Sequence, residues 1–327
     1  MQSEIPILDL SEFLTGKSGA LETITKELQY AAENVGFFFI RGHGVPQDLV
    51  DATFDASRRF HALPEDQKMA LKANEHNIGY MGHGASISRA SQVYEGERKV
   101  NLVAAFFLKR DLPDDHPDIV SNKRFRGANQ WPEGLDGFRD TANAYMGALE
   151  TLATSMLPIY ARALDLPADF FVEAFSDPQF TLRLSHYPST EVEDNQFGLA
   201  PHTDSSFLTL LAQNKVEGLQ VRKPDGVWIN APALPGAFLV NSGDMLRRWS
   251  NDRFLSTPHR AIASAPDRDR YAIPFFFDAQ ADYLQECLPT CHDGDNPPRY
   301  EPTTYTDYML WFARQNYAHF SGGEAAE

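Results

Sequence analysis

The chain has 327 residues, 43% of them hydrophobic, which is enough to bury a sizeable core in one large domain or two ordinary ones. Its formal net charge of −16 repels phosphate backbones, so we expect no nucleic-acid partner. No apolar run approaches the roughly 18 residues of a membrane span, and the first residues show neither the basic flank nor the apolar stretch of a secretory signal. We therefore expect a cytoplasmic protein without a membrane partner.

The first half of the chain predicts mainly helix. Apolar side chains recur at helical spacing over residues 21–35, 46–62 and about 136–166, and Pro158 predicts a kink in the third helix. Between the first two helices, the run GFFFIRG (residues 36–42) predicts a buried strand that ends at glycine.

The pattern changes after residue 178, where short apolar or alternating runs are separated by turn signals such as KPDG and SGD. The runs are FTLRLSHY, SFLTLLAQ, GLQVRK, GVWINA, AFLVN, HRAIAS and YAIPFFFD. Their fairly even spacing predicts an antiparallel sandwich or barrel. The later stretch TYTDYMLWFARQNYAHF predicts a closing helix.

The two cysteines, Cys287 and Cys291, exclude a disulfide framework. His292 follows directly, so part of a zinc site is one interpretation. Structural zinc needs four ligands, however, and the sequence shows no second cluster. Two ordinary loop thiols are the favoured interpretation.

Two ionisable side chains precede a buried strand in APHTDSSFLTLL, residues 200–211. A simple turn is one interpretation, because Pro201, Asp204 and the serines are turn formers. A metal site is the other, since His202 and Asp204 are two apart and would point the same way on a strand. If a barrel brings His259 beside them, the set matches the facial triad of non-haem iron oxygenases. The residues alone leave this open: a single histidine is more often a core or loop residue, and the same ligands accept manganese.

A lone arginine, Arg270, begins the apolar run RYAIPFFF. Burying it costs free energy unless it meets an anion, and a guanidinium binds a carboxylate through two parallel hydrogen bonds. Arg270 is therefore a candidate anchor for a dicarboxylate. In RLSHYP, Ser185 and Tyr187 share one face of another predicted strand, and the tyrosine hydroxyl is a candidate donor to the same ligand.

In chain order these motifs resemble the isopenicillin N synthase-like family of iron(II)- and 2-oxoglutarate-dependent oxygenases. The matching stretches are IPILDLS, GFFFIRGHGVP, PEDQK, RLSHYP, PHTDSSFLTLL, GLQV, WINAPALPGAFLVNSGDML, SNDRFLSTPHRA and RYAIPFFF, from about residue 4 to about residue 278. The resemblance implies a mainly β core with flanking helices (α+β), a double-stranded β-helix or jelly roll. We expect a single domain over residues 1–327. It would comprise a helix-rich region over about 1–175, a jelly-roll core with the metal site over about 178–280, and a closing segment over about 281–327.

The resemblance also implies residue roles. It assigns the catalytic iron ligands to His202, Asp204 and His259, and the 2-oxoglutarate contacts to Arg270, Tyr187 and Ser185. Two positions depart from the family pattern. The usual Arg-x-Ser is Arg270-Tyr271-Ala272 here, and an asparagine often stands at the position of Ser185.

The implied activity is that of an Fe(II)- and 2-oxoglutarate-dependent dioxygenase. Such an enzyme uses O2 to hydroxylate, desaturate or cyclise a small organic molecule, with succinate and CO2 as co-products. Two alternatives remain open. One is a 2-oxoglutarate-independent Fe(II) oxidase of the same fold, which the missing serine allows, and the other is a catalytically silent small-molecule-binding protein.

The sequence does not identify the substrate. The polar, glycine-rich segment 77–101 predicts a long loop, and in the family such a region helps to cover the active site. The candidate substrate contacts are Tyr80, Arg98, Lys99 and Asn101 in this segment and Arg314 and Phe320 on the closing helix. In NSGD, Asn241 and Asp244 are predicted turn formers. The oligomeric state is open, and a monomer is compatible with the sequence.

Overall fold

The structure is a computed structural model that describes residues 4–89, 91–263 and 268–316. The helices in these ranges are α1 (Ser11–Leu14), α2 (Ala20–Asn34), α3 (Gln47–His61), α4 (Glu65–Met69), α5 (Pro117–Val120), α6 (Phe138–Ala163), α7 (Asp244–Trp249) and α8 (Tyr305–Asn316). The three long helices predicted in the first half are confirmed as α2, α3 and α6, with Pro158 inside α6. The closing helix is confirmed as α8, and the predicted contact Phe320 lies outside the described residues.

The strands form two sheets, as the predicted jelly roll requires. They are β1 (Ile7–Asp9), β2 (Phe37–Arg41), β3 (Gly79–Met81), β4 (Ala104–Leu108), β5 (Gln179–Tyr187), β6 (Leu199–His202), β7 (Leu208–Gln213), β8 (Leu219–Arg222), β9 (Trp228–Asn230), β10 (Phe238–Ser242), β11 (His259–Ala261) and β12 (Arg270–Asp278). The large sheet has the order β1-β2-β10-β7-β12-β5-β4-β3, and the small sheet has the order β6-β11-β8-β9. The large sheet takes strands from both the helix-rich region and the jelly-roll core. The fold is thus a mainly β double-stranded β-helix with flanking helices.

One strand lies where the sequence predicts a loop. Strand β3 falls inside the segment 77–101 and pairs antiparallel with β4 at the end of the large sheet. The loop prediction is therefore wrong for these residues. The three residues of β3 are too few to show the alternation by which a strand is recognised in sequence.

Alternation along β5 divides its side chains between two environments. Phe180, Leu182 and Leu184 belong to the main hydrophobic core that helices α2, α3 and α6 cover. Thr181 and Arg183 point the other way and line the interior cavity between the two sheets. Strand β12 pairs with β5, so its side chains alternate between the same two environments. Arg270 lies at one end of the interior between the sheets.

Within the described residues, no helix is both long and apolar enough to cross a membrane.

Candidate metal centre and active-site cavity

The three candidate ligands converge between the two sheets. His202 is the last residue of β6 and His259 the first of β11, and these two residues are direct partners in the antiparallel β6–β11 pair. Asp204 lies just beyond β6, in the turn that leads to β7, rather than on the strand itself. The turn and the metal-site interpretations of this stretch are therefore compatible, because Asp204 lies in a turn and also beside the two histidines.

The ligand atoms are close enough to contact one ion. The Nε2 atoms of His202 and His259 lie 3.8 and 3.6 Å from Oδ1 of Asp204. One ligand atom from each residue lies within 4.8 Å of the others, and no other group of His, Cys, Asp and Glu side chains in the described part of the chain meets this condition. Two imidazole nitrogens and one carboxylate oxygen form a donor set that suits iron(II).

Backbone carbonyls fix the orientation of both imidazoles. Nδ1 of His202 lies 2.8 Å from the carbonyl oxygen of Ala200, and Nδ1 of His259 lies 3.2 Å from that of Thr257. A carbonyl only accepts, so each Nδ1 carries a hydrogen, and in the neutral ring the lone pair is on Nε2. Both lone pairs are consequently available to a metal.

The carboxylate of Asp204 is divided between two tasks. Its Oδ2 accepts hydrogen bonds from the Thr209 hydroxyl and the Asn241 amide, each at 2.8 Å, while Oδ1 faces the histidines. The prediction that Asn241 is a turn former is wrong, because it lies within β10 and orients a metal ligand. The other predicted turn former, Asp244, begins α7.

Without a metal, the electrostatics favour a neutral His202, an ionised Asp204 and a protonated His259. Burial lowers the pKa of His202 to about 3, so its imidazole is neutral. Burial opposes the ionisation of Asp204, but the adjacent charge of His259 outweighs it and holds the pKa of this carboxyl below its ordinary value. Burial likewise lowers the pKa of His259, but the Asp204 carboxylate overcomes this effect and raises it.

The turn that carries Asp204 is held by the start of α7. The backbone N–H of Asp244 donates to the carbonyl oxygen of Asp204 at 2.8 Å. Gly243 permits this approach, since a Cβ at this position would lie 2.2 Å from the carbonyl oxygen of Ser206. Glycine in NSGD is thus needed for close backbone packing behind the metal site.

A narrow cavity of about 40 Å³ leads from the three ligands to Arg270. Arg270 is 1% exposed, and its guanidinium lies 4.8 Å from the centre of the Tyr187 ring. Its Nη2 donates to Gln213, but Nε and Nη1 are buried without a hydrogen-bond partner among the described residues. Burial lowers its pKa, yet arginine stays protonated in proteins. An anion in this cavity would pair with the two free donors.

Two glycines leave room for this pair of side chains. A Cβ on Gly218 would lie 3.0 Å from Cδ of Arg270, and a Cβ on Gly198 would lie 2.8 Å from Cδ1 of Tyr187. Both are tighter than ordinary van der Waals contact, so larger residues would displace the two side chains.

Ser185 lies directly opposite the position at which the family's serine is missing. Ser185 on β5 and Ala272 on β12 are register partners, so their Cβ atoms lie on the same face about 5 Å apart. The Ser185 hydroxyl is buried and has no hydrogen-bond partner among the described residues.

A larger cavity of about 450 Å³ adjoins the other side of the ligands. Its wall includes His202, Asp204, a polar floor and several aromatic side chains. The floor comprises Thr181, Arg183 and Asp278, and the aromatic residues include Phe107, Phe276, Tyr305, Tyr308 and Phe312. A cavity of this volume is typical of small-molecule sites.

Two buried ionisable side chains, Lys109 and Asp278, underlie the floor. Burial raises the pKa of Asp278 to about 8 and lowers the pKa of Lys109 to about 8. The Lys109 ammonium donates to the Thr181 hydroxyl at 2.8 Å, and Asp278 accepts from the backbone N–H of Phe207. Among the described residues, no ion pair within 4 Å joins Lys109 to Asp278.

Of the predicted substrate contacts that the structure describes, only Asn101 lines the larger cavity. Tyr80 is 1% exposed in the main core, Lys99 pairs with Glu193 at 2.8 Å, and Arg314 is exposed on α8. The predictions for these residues do not match their positions. The polarity of the segment 77–101 indicated a region that contributes to the cavity wall, but it did not distinguish the residues that line the cavity from their neighbours.

Arg98 acts on the wall indirectly. Its guanidinium donates to the backbone carbonyls of Ser88, Arg89 and Ser91. Ser88 and Ser91 line the cavity, so Arg98 braces the segment that covers it instead of contacting its contents.

Arg183 is the main site residue that the sequence interpretation missed. The alternation that places Ser185 and Tyr187 on one face of β5 places Arg183 on that face too, so the signal was present in RLSHY.

The two cysteines are free thiols; Cys291 is buried in the main core and Cys287 packs against it.

Two family models match the chain. Residues 5–134 match the model described as non-haem dioxygenase in morphine synthesis N-terminal. Residues 178–279 match the 2OG-Fe(II) oxygenase superfamily, and this span contains the three converging ligands and Arg270.

Similar proteins match over nearly the whole chain. The 2-oxoglutarate-Fe(II) type oxidoreductase hxnY of Emericella nidulans is 34% identical over 319 residues, which cover 95% of this chain and 90% of that protein. The structure of a full-length Neurospora crassa protein in complex with alpha-KG and thymine has a TM-score of 0.80 at 25% identity and covers 93% of this chain and 95% of that one. The structure of JOX2 in complex with 2OG, Fe and JA has a TM-score of 0.79 at 28% identity and covers 98% and 89%.

Replacing Asn241 by alanine is expected to weaken metal binding by about 10- to 100-fold, because Asp204 loses one of the two donors that orient it. Binding is measured anaerobically with Fe(II), and with Mn(II) counted by electron paramagnetic resonance. Thr209→Val, which removes the other donor, should behave alike. Asn230→Ala, an exposed amide on β9, is the matched control. Unchanged affinity in both of the first two variants would contradict this role.

Replacing Asp278 by asparagine is expected to stabilise the protein increasingly as the pH rises. The folded-state pKa of about 8 lies above the unfolded value of 3.8, so folding takes up a proton between these limits and this group's contribution to stability falls as the pH rises. The difference between variant and wild type should grow by up to about 1.4 kcal/mol per pH unit. Urea unfolding at pH 5, 6, 7 and 8 measures it. A loss of stability that is the same at each pH would indicate an ionised Asp278 instead.

Proposed function

Because the chain belongs to the family of 2-oxoglutarate- and Fe(II)-dependent oxygenases, we propose that His202, Asp204 and His259 hold its iron. The chain is a non-haem Fe(II) dioxygenase that uses O2 to oxidise a small organic molecule, with succinate and CO2 as co-products. The observation that supports the assignment is the convergence of two Nε2 atoms and one carboxylate oxygen in the described chain. The remaining polar atoms of all three side chains are occupied by neighbours.

The protein contributes position and environment. When bound together with 2-oxoglutarate, the iron supplies the activation of O2 for attack on a C–H bond of the substrate. The three side chains would hold the iron and would leave coordination positions for 2-oxoglutarate and O2, which the two adjoining cavities can admit. Carbonyl contacts keep each Nε2 lone pair free, and Thr209 and Asn241 prevent Oδ2 of Asp204 from rotating toward the metal.

Arg270 is the proposed anchor for the distal carboxylate of 2-oxoglutarate. It stands at the far end of the narrow cavity from the metal ligands, with two buried N–H donors free. Within the described residues it forms no ion pair, and an unpaired buried guanidinium is costly. A dicarboxylate with one end at the ligands and the other at Arg270 provides the missing anion, and Tyr187 packs on the same guanidinium.

Ser185 is proposed to supply the hydroxyl that Ala272 lacks. The two residues face each other across β5 and β12, so a hydroxyl on either strand reaches the same part of the barrel. The Ser185 hydroxyl is buried and free to donate. This arrangement accounts for the joint departure from the family pattern at the two positions.

The substrate is proposed to occupy the larger cavity, on the side of the ligands away from Arg270. The similar structures hold thymine in one case and JA in the other, which are small molecules in both. The net charge of −16 supports the absence of a nucleic-acid partner. A cytoplasmic location stays a prediction of the sequence, and the oligomeric state stays open.

The two alternatives are not favoured. A 2-oxoglutarate-independent oxidase would not need a buried arginine with free donors facing the ligands. A silent binding protein would not need a complete and oriented set of metal ligands.

An anaerobic titration tests the proposed function. Adding Fe(II) and then 2-oxoglutarate to the metal-free protein should produce the weak visible charge-transfer band of a chelated 2-oxoacid. The band should be absent in His259→Ala, and Arg270→Met should need at least about tenfold more 2-oxoglutarate because a charge-assisted contact is lost. Arg314→Met, an exposed arginine on α8, is the matched control. Iron-loaded wild type without a band would overturn the proposal.

Restoring the family serine checks the role of Ser185. Ala272→Ser should leave 2-oxoglutarate affinity near the wild-type value, whereas Ser185→Ala should reduce it by about 2- to 12-fold, the equivalent of one neutral hydrogen bond. In the double variant the serine at 272 should recover most of the loss. The midpoint of the same titration measures each protein. An unaffected Ser185→Ala would show that the hydroxyl takes no part.

A further inference from the structure

A second buried arginine, Arg183, has no hydrogen-bond or ion-pair partner among the described residues. It is 7% exposed and lies on the interior face of β5, where it lines both the narrow and the larger cavity. Among the described residues it stacks near the Phe107 ring, whose centre lies 5.4 Å from the guanidinium. It forms no hydrogen bond or ion pair with the described residues, and its Nε is buried without a partner.

The nearby carboxylates are already occupied. Asp204 is shared among the two histidines, Thr209 and Asn241. Asp244 accepts from the hydroxyls of Thr203 and Tyr308 at 3.0 and 3.1 Å and lies 3.5 Å from Arg247. Neither is within 4 Å of Arg183.

The loaded metal site does not neutralise Arg183 either. The two charges of Fe(II) and the one of Arg270 balance the Asp204 carboxylate and the two carboxylates of 2-oxoglutarate. Burial raises the pKa of Asp278 to about 8, so at neutral pH this carboxyl supplies no negative charge for Arg183. None of these groups therefore supplies an anion to Arg183, and a buried positive charge is unfavourable unless an anion joins it.

We propose that Arg183 binds a carboxylate of the primary substrate, so that the substrate class is a small organic monoacid. The inference rests on the proposed function, because it places the acid next to a metal site that already holds 2-oxoglutarate. A guanidinium presents two parallel donors that match a carboxylate. The apolar body of the acid lies against the aromatic part of the wall, which includes Phe107, Phe276 and Phe312.

The position of Arg183 ties recognition to reaction. It lines the same junction of the two cavities as His202 and Asp204. A carboxylate held there fixes the substrate close to the ligands, and the atoms next to the carboxylate are the nearest to the metal site. The side chain also provides a local cationic centre for an anion that approaches a chain of net charge −16.

Matched pairs of acids and amides test the proposal. The probes are benzoate and benzamide, phenylacetate and phenylacetamide, and cyclohexanecarboxylate and cyclohexanecarboxamide. Calorimetry under anaerobic conditions gives their dissociation constants for the protein with and without Fe(II) and 2-oxoglutarate. The ratio of the dissociation constants of an acid and its amide reports on charge recognition, because general damage to the cavity weakens the binding of both compounds.

In the wild type, at least one acid should bind about 10- to 100-fold more tightly than its amide. Arg183→Met should abolish this preference, and Arg183→Lys, which keeps the charge, should retain part of it. Lys99→Met removes a cation that pairs with Glu193 and should leave the preference unchanged. The 2-oxoglutarate midpoint should be unaffected in each variant.

Three outcomes would overturn the proposal: no acid binds, acids bind no better than amides, or Arg183→Met keeps the preference. A 2-oxoglutarate midpoint that rises in Arg183→Met as much as the acid affinity falls would assign the arginine to the cosubstrate and also overturn it. The charge-transfer band tests the proposed function independently of acid binding. A normal band without acid preference refutes only the role of Arg183, while absence of the band refutes the proposed function.

Discussion

The Asp204 carboxylate carries a negative charge in a buried site and uses its two oxygens differently. Thr209 and Asn241 hold Oδ2, each at 2.8 Å, and this contact leaves Oδ1 between two imidazole nitrogens. The donors come from β7 and β10 of the large sheet, while the histidines come from β6 and β11 of the small one. The ligand set therefore exists only where the two sheets meet, so the jelly roll and the metal site depend on each other.

Two buried arginines, Arg270 and Arg183, place positive charge at different points of the barrel interior. Arg270 stands at one end of the narrow cavity and has free donors suited to a distal carboxylate. Arg183 stands where the narrow and the larger cavity meet. In a protein of net charge −16 these two side chains provide a local attraction for anions beside the metal site. The two proposals together describe an enzyme whose cosubstrate and substrate are both recognised by charge, each through a separate arginine.

Much of this could be predicted from the sequence, because the strongest signals are periodic or clustered. Helices α2, α3 and α6 have clear 3.6-residue patterns, and the HxD motif and Arg270 stand beside apolar strands. Strand β3 was missed because three residues show no alternation. Asn241 was interpreted as a turn former because its residue type favours turns, and only the pairing of β10 with β7 reveals its contact with Asp204. Which polar residues line a cavity depends on packing between distant segments, so the sequence did not distinguish Asn101, which lines the larger cavity, from Tyr80, which lies in the main core.

Anomalous diffraction at the iron edge, from crystals of the anaerobic Fe(II)-loaded protein, tests the central assignment most directly. We expect one strong peak about 2 Å from Nε2 of His202, Oδ1 of Asp204 and Nε2 of His259. Thr209 and Asn241 should still bond to Oδ2 of Asp204. A peak at another site, or iron bound through Oδ2 with those two donors displaced, would contradict it.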